Sequence, residues 1–254
     1  MATLLLFDIG NTHTHVGLAN EHRVWRQLNI PTSAWFDGGV EALLKPLLRG
    51  RRFSGTALCS VVPTATPFVR RFCRAQFQMP CLALDHRTIR GVGIDYPRPE
   101  TIGADRLANA VAAQARFGAP VVVVDFGTAV TFDVVDGAGN YVGGIIAPGL
   151  AAMTDYLHEK TALLPRIKIR EVKAVIGKNT EEAMLIGAVH GYRGLVRELI
   201  RGLKTELNVR KLPVVATGGY AKLIAAGLPD IDAVDPALTL EGVRLVWQAH
   251  SRKQ

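Results

Sequence analysis

The chain has 254 residues, 48% of them hydrophobic and 20% charged, with a formal net charge of +8. That balance excludes a disordered or fibrous chain and leaves room for one large domain or two of about 120 residues. No run approaches the roughly 20 apolar residues of a membrane span, and the N-terminus enters an apolar stretch with no basic region or cleavage signature, so a soluble cytoplasmic protein is expected.

In chain order, the apolar pattern predicts strands over 3–8, 13–19 and 23–29, a helix over 37–49, a strand over 56–62, a helix over 65–77 and a short strand over 80–84. A hydrophilic loop carrying Pro97 and Pro99 leads into a helix over 103–117. Beyond a linker around Gly118-Ala119-Pro120, strands are predicted over 120–125, 130–136 and 141–147, then helices over 149–159 and 180–207. A strand over 213–216, a helix from Gly219 and a closing helix over 238–250 complete the series. Three strands in succession followed by alternating helix and strand, twice over, predict two α/β domains, 1–118 and 119–254, each a mixed sheet flanked by helices with a ligand cleft between them.

Charge and cysteine placement narrow the function classes. Residues 1–90 hold 11 Lys or Arg against 5 Asp or Glu, so about +6 of the charge sits there. The clusters Arg49-Gly50-Arg51-Arg52 and Arg70-Arg71-Phe72-Cys73-Arg74 invite a nucleic-acid reading. In the second cluster, however, Phe68, Val69, Phe72 and Cys73 form one apolar helix face, which leaves the arginines as solvated surface; no nucleic-acid partner is expected. Cys59, Cys73 and Cys81 are odd in number and lack metal-ligand spacing, so they read as buried reduced thiols. His13 and His15 share one face of a strand but have no third ligand nearby.

The most informative pattern is a repeat. Leu4-Leu5-Leu6-Phe7-Asp8-Ile9-Gly10-Asn11-Thr12 and Val121-Val122-Val123-Val124-Asp125-Phe126-Gly127-Thr128 each join a buried strand to an aspartate and a glycine turn. The glycine permits close backbone approach, and Asn11, Thr12 and Thr128 offer short donors for phosphate oxygens. Either copy alone is equally an ordinary strand and turn, since Asp, Gly and Asn are common turn formers. Together with Gly218-Gly219 after an apolar strand, the pair resembles the superfamily of sugar kinases, heat-shock ATPases and actin. That resemblance implies duplicated ribonuclease H-like domains, phosphate contacts at both turns, and a glycine pair meeting the nucleoside. Gly218-Gly219 alone reads as a plain strand-to-helix turn.

The stretch Gly93-Ile94-Asp95-Tyr96-Pro97-Arg98-Pro99-Glu100-Thr101-Ile102-Gly103-Ala104-Asp105-Arg106 resembles the substrate motif of type III pantothenate kinases. Ser60-Val61-Val62-Pro63, Tyr141-Val142-Gly143-Gly144, Ala147-Pro148-Gly149, Leu164-Pro165 and Ile176-Gly177-Lys178-Asn179-Thr180 extend the resemblance along the chain. It implies transfer of the γ-phosphate of ATP to pantothenate, giving 4'-phosphopantothenate, the first step of coenzyme A synthesis. It makes Asp105 the catalytic base and gives Tyr96, Gly103, Ala104 and Arg106 to the pantothenate pocket. Asp8, Ile9, Gly10, Asn11, Thr12, His13, Thr14 and His15 would form the first phosphate loop, with Asp8 holding Mg²⁺. Thr128 would touch phosphate from the second turn, and Asp125 would bind a monovalent cation, K⁺ or NH₄⁺. Thr180 would contact pantothenate across a homodimer interface.

Plainer readings exist for several of these. An acid in the first turn of a helix is stabilised there anyway, as Asp105 would be. Asn179-Thr180-Glu181-Glu182 has the spacing of a helix N-cap with an acid three residues on. Val130, Ala183 and Leu185 depart from the family pattern. The alternative function is a non-catalytic transcriptional accessory protein on the same scaffold, and a sugar or acetate kinase lacks the segment from Tyr96 to Arg106.

Overall fold

The computed structural model describes residues 3–251. Positions 1–2 and 252–254, the outer ends of the two expected domains, lie outside the described residues. The chain divides into two compact units: one holds the chain up to Gly118, the stretch Gly139–Val142 and everything from Ala237 onward, and the other holds Ala119–Ala138 and Gly143–Pro236.

The first unit opens with β1 (Leu4–Ile9), β2 (His13–Ala19) and β3 (Val24–Pro31), then α1 (Ala34–Asp37), α2 (Val40–Leu48), β4 (Gly55–Ser60), α3 (Thr66–Phe77), β5 (Cys81–Ala83), β6 (Gly93–Ile94) and α4 (Ala104–Phe117). Its sheet runs β3-β2-β1-β4-β5, with β1 antiparallel to β2 and parallel to β4. Leu4, Leu5, Leu6 and Phe7 are at most 2% exposed, so β1 is covered on both faces and its sequence is continuously apolar rather than alternating. Burying each such side chain contributes roughly 1.5–3 kcal/mol. At the edge, β3 keeps most of its residues exposed. Trp35 closes the core beneath the first turn, edge-on to Phe7 at 5.8 Å and to Phe72 at 5.6 Å between ring centres. The helix expected over 37–49 is α2, which starts three residues later because Gly38, at φ 81°, ends the short α1 before it in the left-handed region that glycine enters freely.

The second unit holds β7 (Val121–Phe126), β8 (Ala129–Val135), the greater part of β9 (Asn140–Pro148), α5 (Leu150–Lys160), α6 (Thr180–Ile186), α7 (Tyr192–Glu206), β10 (Val214–Thr217), α8 (Ala221–Ala225) and β11 (Ala233–Val234). Strand order here is β11-β10-β7-β8-β9, the same arrangement as in the first sheet, with β7 in the place of β1 and β10 in that of β4. Even the burial along β1 and β7 matches residue for residue, the aspartate being the one position not fully buried. The long helix expected over 180–207 is interrupted by a wider, π-type turn at Gly187–Gly191. Asn179 caps α6, its Oδ1 accepting from the Glu182 amide at 2.9 Å, while Glu182 Oε2 accepts from the Lys178 amide at 2.8 Å.

The closing helix α9 (Leu238–Ser251) belongs to the first unit and packs on α4. The helices meet backbone to backbone: a Cβ on Gly242 would lie 1.9 Å from the Ala108 carbonyl oxygen. Beside that contact the Thr239 hydroxyl donates to Asn109 Oδ1 at 2.8 Å. Nearby, β6 pairs in parallel with the start of β9, placing Ile94 opposite Tyr141.

Candidate active site

In the first unit, Asp8 stands one residue before the end of β1, where the strand leaves the core. The turn after it closes with Gly10 N–H donating to the His13 carbonyl at 3.0 Å, and a Cβ on Gly10 would meet that same oxygen. Asn11, Thr12 and His13 are exposed, whereas Ile9 and Thr14 are fully buried. The Thr14 side chain therefore supports the turn from beneath. Trp35 Nε1 donates to its hydroxyl at 3.1 Å, and it shares a 3.1 Å hydrogen bond with Thr32. Thr32 in turn donates to the Gly10 carbonyl at 2.7 Å, so its own proton is used and Thr14 must be the donor between them. His15 turns to Asn29 Oδ1 at 2.7 Å. Among the described residues no group of three His, Cys, Asp or Glu side chains could hold a metal.

Asp105 occupies the first turn of α4. Its Oδ1 accepts the Arg106 amide at 2.8 Å, and a Cβ on Gly103 would lie 2.5 Å from that oxygen, so the glycine leaves the space into which the carboxylate folds. Desolvation raises the Asp105 carboxyl above its ordinary range, against the opposing pull of the Arg106 amide and guanidinium. Asp8 is pushed up to about 7, first by desolvation and then by the charge of Asp105, while a hydrogen bond from Cys59 works the other way. The charge of Asp105 thus reaches Asp8 and resists its ionisation.

Beside them, the Arg106 guanidinium lies 5.8 Å from the centre of the Tyr141 ring, and Tyr141 meets Tyr96 edge-on at 6.2 Å. The structure therefore gathers Asp8, Asp105, Arg106 and Tyr96, four residues singled out from sequence, and adds Cys59 and Tyr141. Asp8 offers carboxylate oxygen, the donor type that suits a hard divalent ion.

The second unit has a similar turn, one residue shorter. Gly127 N–H donates to the Ala129 carbonyl at 3.1 Å, and Thr128 is exposed. The Thr128 carbonyl accepts from Gly149 N–H at 3.1 Å, and a Cβ on Gly149 would sit 2.2 Å from it, so the start of α5 is locked against the turn. Gly218, at φ 90°, follows β10 so closely that a Cβ there would approach Asp125 Oδ1 to 2.6 Å, while Gly219 has open space beside it. The structure thus unites Asp125, Thr128 and Gly218 in the second unit. Thr180 is exposed at the first position of α6.

Comparison with known proteins turns this geometry into a family. Residues 4–202 match the model of type III pantothenate kinases. The chain is 49% identical over 243 residues to a type III pantothenate kinase of Akkermansia muciniphila, covering 96% of this chain and 97% of that protein. This chain belongs to the type III pantothenate kinase family. Another type III pantothenate kinase, from Methylacidiphilum infernorum, is 46% identical over 252 residues, covering 96% and 88% of the two chains. Both turns, the Tyr96–Arg106 segment and Thr180 lie inside the matched stretch; Gly218 and Gly219 lie beyond it. Solved structures agree on the fold. A Campylobacter jejuni protein assigned to the Baf family of transcriptional activators superposes with a TM-score of 0.63 at 18% identity, covering 98% and 99% of the two chains. An inorganic polyphosphate/ATP-glucomannokinase from Arthrobacter superposes with a TM-score of 0.51 at 14% identity over the full length of both. Identities this low speak for the fold alone and carry no regulatory role to this type III pantothenate kinase family member.

Cys59 and Tyr141 were not legible as site residues. Cys59 sits in the apolar run Ala57-Leu58-Cys59 and reads as core, because only the pairing of β1 with β4, about fifty residues apart in the chain, puts it beside Asp8. Tyr141 reaches Tyr96 and Arg106 only through the two-residue pairing of β6 with β9. Neither register leaves a periodic signal.

Proposed function

We propose that this protein transfers the γ-phosphate of ATP to the primary hydroxyl of pantothenate, yielding 4'-phosphopantothenate in the cytoplasm. The observation that carries the reading is the meeting of Asp8 and Asp105 beside Arg106 and Tyr96, joined to the family membership. A phosphoryl-transfer site works chiefly by positioning and charge neutralisation, with one group to take the hydroxyl proton. Asp105 suits that role: desolvation makes its carboxylate more basic than an exposed one, and helix α4 fixes it. Arg106, backed by the Tyr141 ring, offers a guanidinium to the pantothenate carboxylate, and Tyr96 borders the same pocket.

Mg²⁺, bound near Asp8, would neutralise charge on the β- and γ-phosphates. The turn from Gly10 to His13 is the phosphate loop of this reading, and the buried Thr14-Thr32-Trp35 network keeps it in shape. Asp125 is assigned a monovalent cation, K⁺ or NH₄⁺, with Thr128 as a phosphate contact and Gly218-Gly219 as the nucleoside contact. A homodimer, with Thr180 reaching the partner's pantothenate, is supported by exposed apolar side chains concentrated between 146 and 176: Ile146 at 65%, Tyr156 at 61%, Leu163 at 89% and Ile176 at 69%.

The test is an assay of purified protein with ATP, pantothenate, Mg²⁺ and K⁺ or NH₄⁺. Phosphopantothenate should form, and omission of either cation class should abolish or sharply slow it. Absence of product under all these conditions would overturn the kinase reading.

A further inference from the structure

The parallel pairing of β1 with β4 sets Asp8 directly opposite Cys59. The Cys59 side chain is fully buried, and its Sγ lies 3.4 Å from Asp8 Oδ1. The thiol is the donor in this bond, and once the carboxylate is ionised it has no proton to give in return. Among the described residues it is the only side chain that hydrogen-bonds Asp8.

That single bond bears on how the carboxylate is held. The charge of Asp105 presses on Asp8 from within the same site. A strand-end carboxylate under such repulsion relieves it by rotating about its side-chain torsions unless one oxygen is anchored. Cys59 anchors Oδ1. The second unit supplies an independent parallel: the pairing of β7 with β10 sets Thr217 opposite Asp125, and Thr217 is 3% exposed. Both copies of the turn thus place a short side chain with one donor proton beside the strand-end aspartate, a sulfur in one and an oxygen in the other. Cys73 and Cys81, by contrast, lie in the apolar core cluster beside each other and the Thr56 hydroxyl, with the Arg70 charge within reach of Cys81.

We propose that Cys59 is a positioning residue for phosphoryl transfer, its thiol donating to Asp8 Oδ1 and fixing the orientation in which that carboxylate serves the phosphate end of ATP. The proposal rests on the kinase reading, and the experiment separates the two. Parent, Cys59→Ser, Cys59→Ala and Cys59→Val proteins are compared in the pantothenate kinase assay. Alanine removes the donor, valine removes it while refilling the space, and serine keeps it. The expected result is a kcat about tenfold lower for alanine and valine, the scale of one hydrogen bond to a charged group. The KM for pantothenate should stay within about twofold, and serine should restore most of the lost kcat. Serine as slow as alanine, or all three at the parental rate, overturns the role of Cys59 while leaving the kinase reading intact. A parent without activity overturns the kinase reading instead.

A second measurement needs neither turnover nor the alanine and valine substitutions. The difference infrared spectrum between metal-free parent and Cys59→Ser isolates the S–H stretch of Cys59. That band should lie below the frequency of an unbonded thiol, and a band at the unbonded position overturns the proposal even if the alanine and valine proteins fail to fold.

Discussion

At the scale of single residues, the paired carboxylates have a consequence for stability that is separate from catalysis. The folded-state carboxyl of Asp8 is raised from 3.8 to about 7. Folding therefore favours its protonated form. Below pH 3.8 the group is neutral in both states and costs nothing. As pH rises from there through 7, the folded state loses stability that the unfolded state does not. In metal-free protein, Asp8→Asn is accordingly expected to leave the melting temperature near the parental value at pH 4 and to raise it at pH 8; equal shifts at the two pH values would contradict the assignment. For Asp105→Asn, which keeps the shape but cannot take a proton, kcat should fall by roughly 10²-fold or more, the scale of a lost general base. Arg106→Ala should act mainly on KM for pantothenate, raising it on the order of tenfold or more through loss of a charge-assisted contact. Steady-state kinetics with pantothenate as the varied substrate checks both. The residue types at Asp8, Asp105, Arg106 and Tyr96 could be chosen from sequence because they sit in unusual local strings. Thr32 and Cys59 could not, since an ordinary threonine or cysteine in an apolar run becomes notable only once its cross-strand neighbour is known.

At the scale of elements, strands were legible where they are central and helices where they are amphipathic. Strands β1 and β7 are continuous apolar runs because both their faces are covered, and their shared pattern revealed the repeat. What escaped were elements too short to carry a period, β6 and β11, and interruptions made by glycine. The wider turn from Gly187 to Gly191 divides a segment whose apolar spacing reads as one helix, and Gly38 sets off the short α1 that the spacing does not announce. The α4–α9 contact was equally hidden, for the absent side chain of Gly242 has no periodic signature. Its importance is testable: with the Ala108 carbonyl where a Cβ would fall, Gly242→Ala must push the helices apart. Such overpacking typically costs about 1–3 kcal/mol. A lower melting temperature is expected, together with a reduced kcat, because α4 carries Asp105 in its first turn; an unchanged melting temperature would show that the helices can separate freely.

At the scale of the whole molecule, the clustered charge and the exposed apolar surface have different explanations. Arg70, Arg71 and Arg74 line a groove of about 590 Å³ along α3 with Pro63, Thr66 and Pro67, and Arg71 lies over the Phe68 ring at 5.1 Å. This is the solvated helix face anticipated from the spacing of Phe68, Val69, Phe72 and Cys73. The apolar residues between 146 and 176 are the stronger candidates for burial against a second copy. Sedimentation should show a dimer for the parent, and Tyr156→Lys combined with Leu163→Asp should shift it towards monomer. A parent that sediments as a monomer at micromolar concentration would remove the interface, and with it the role given to Thr180.

The return of α9 to the first unit also sets an order of events during synthesis. Helix α4, with Asp105 at its start, is made more than a hundred residues before the surface that Gly242 presents to Ala108. While translation continues, α4 must wait with its Ala108 face uncovered. The carboxylate can be locked in place only once α9 has been made, so a chain cut short before α9 would carry every residue proposed for catalysis and still lack the support that holds Asp105.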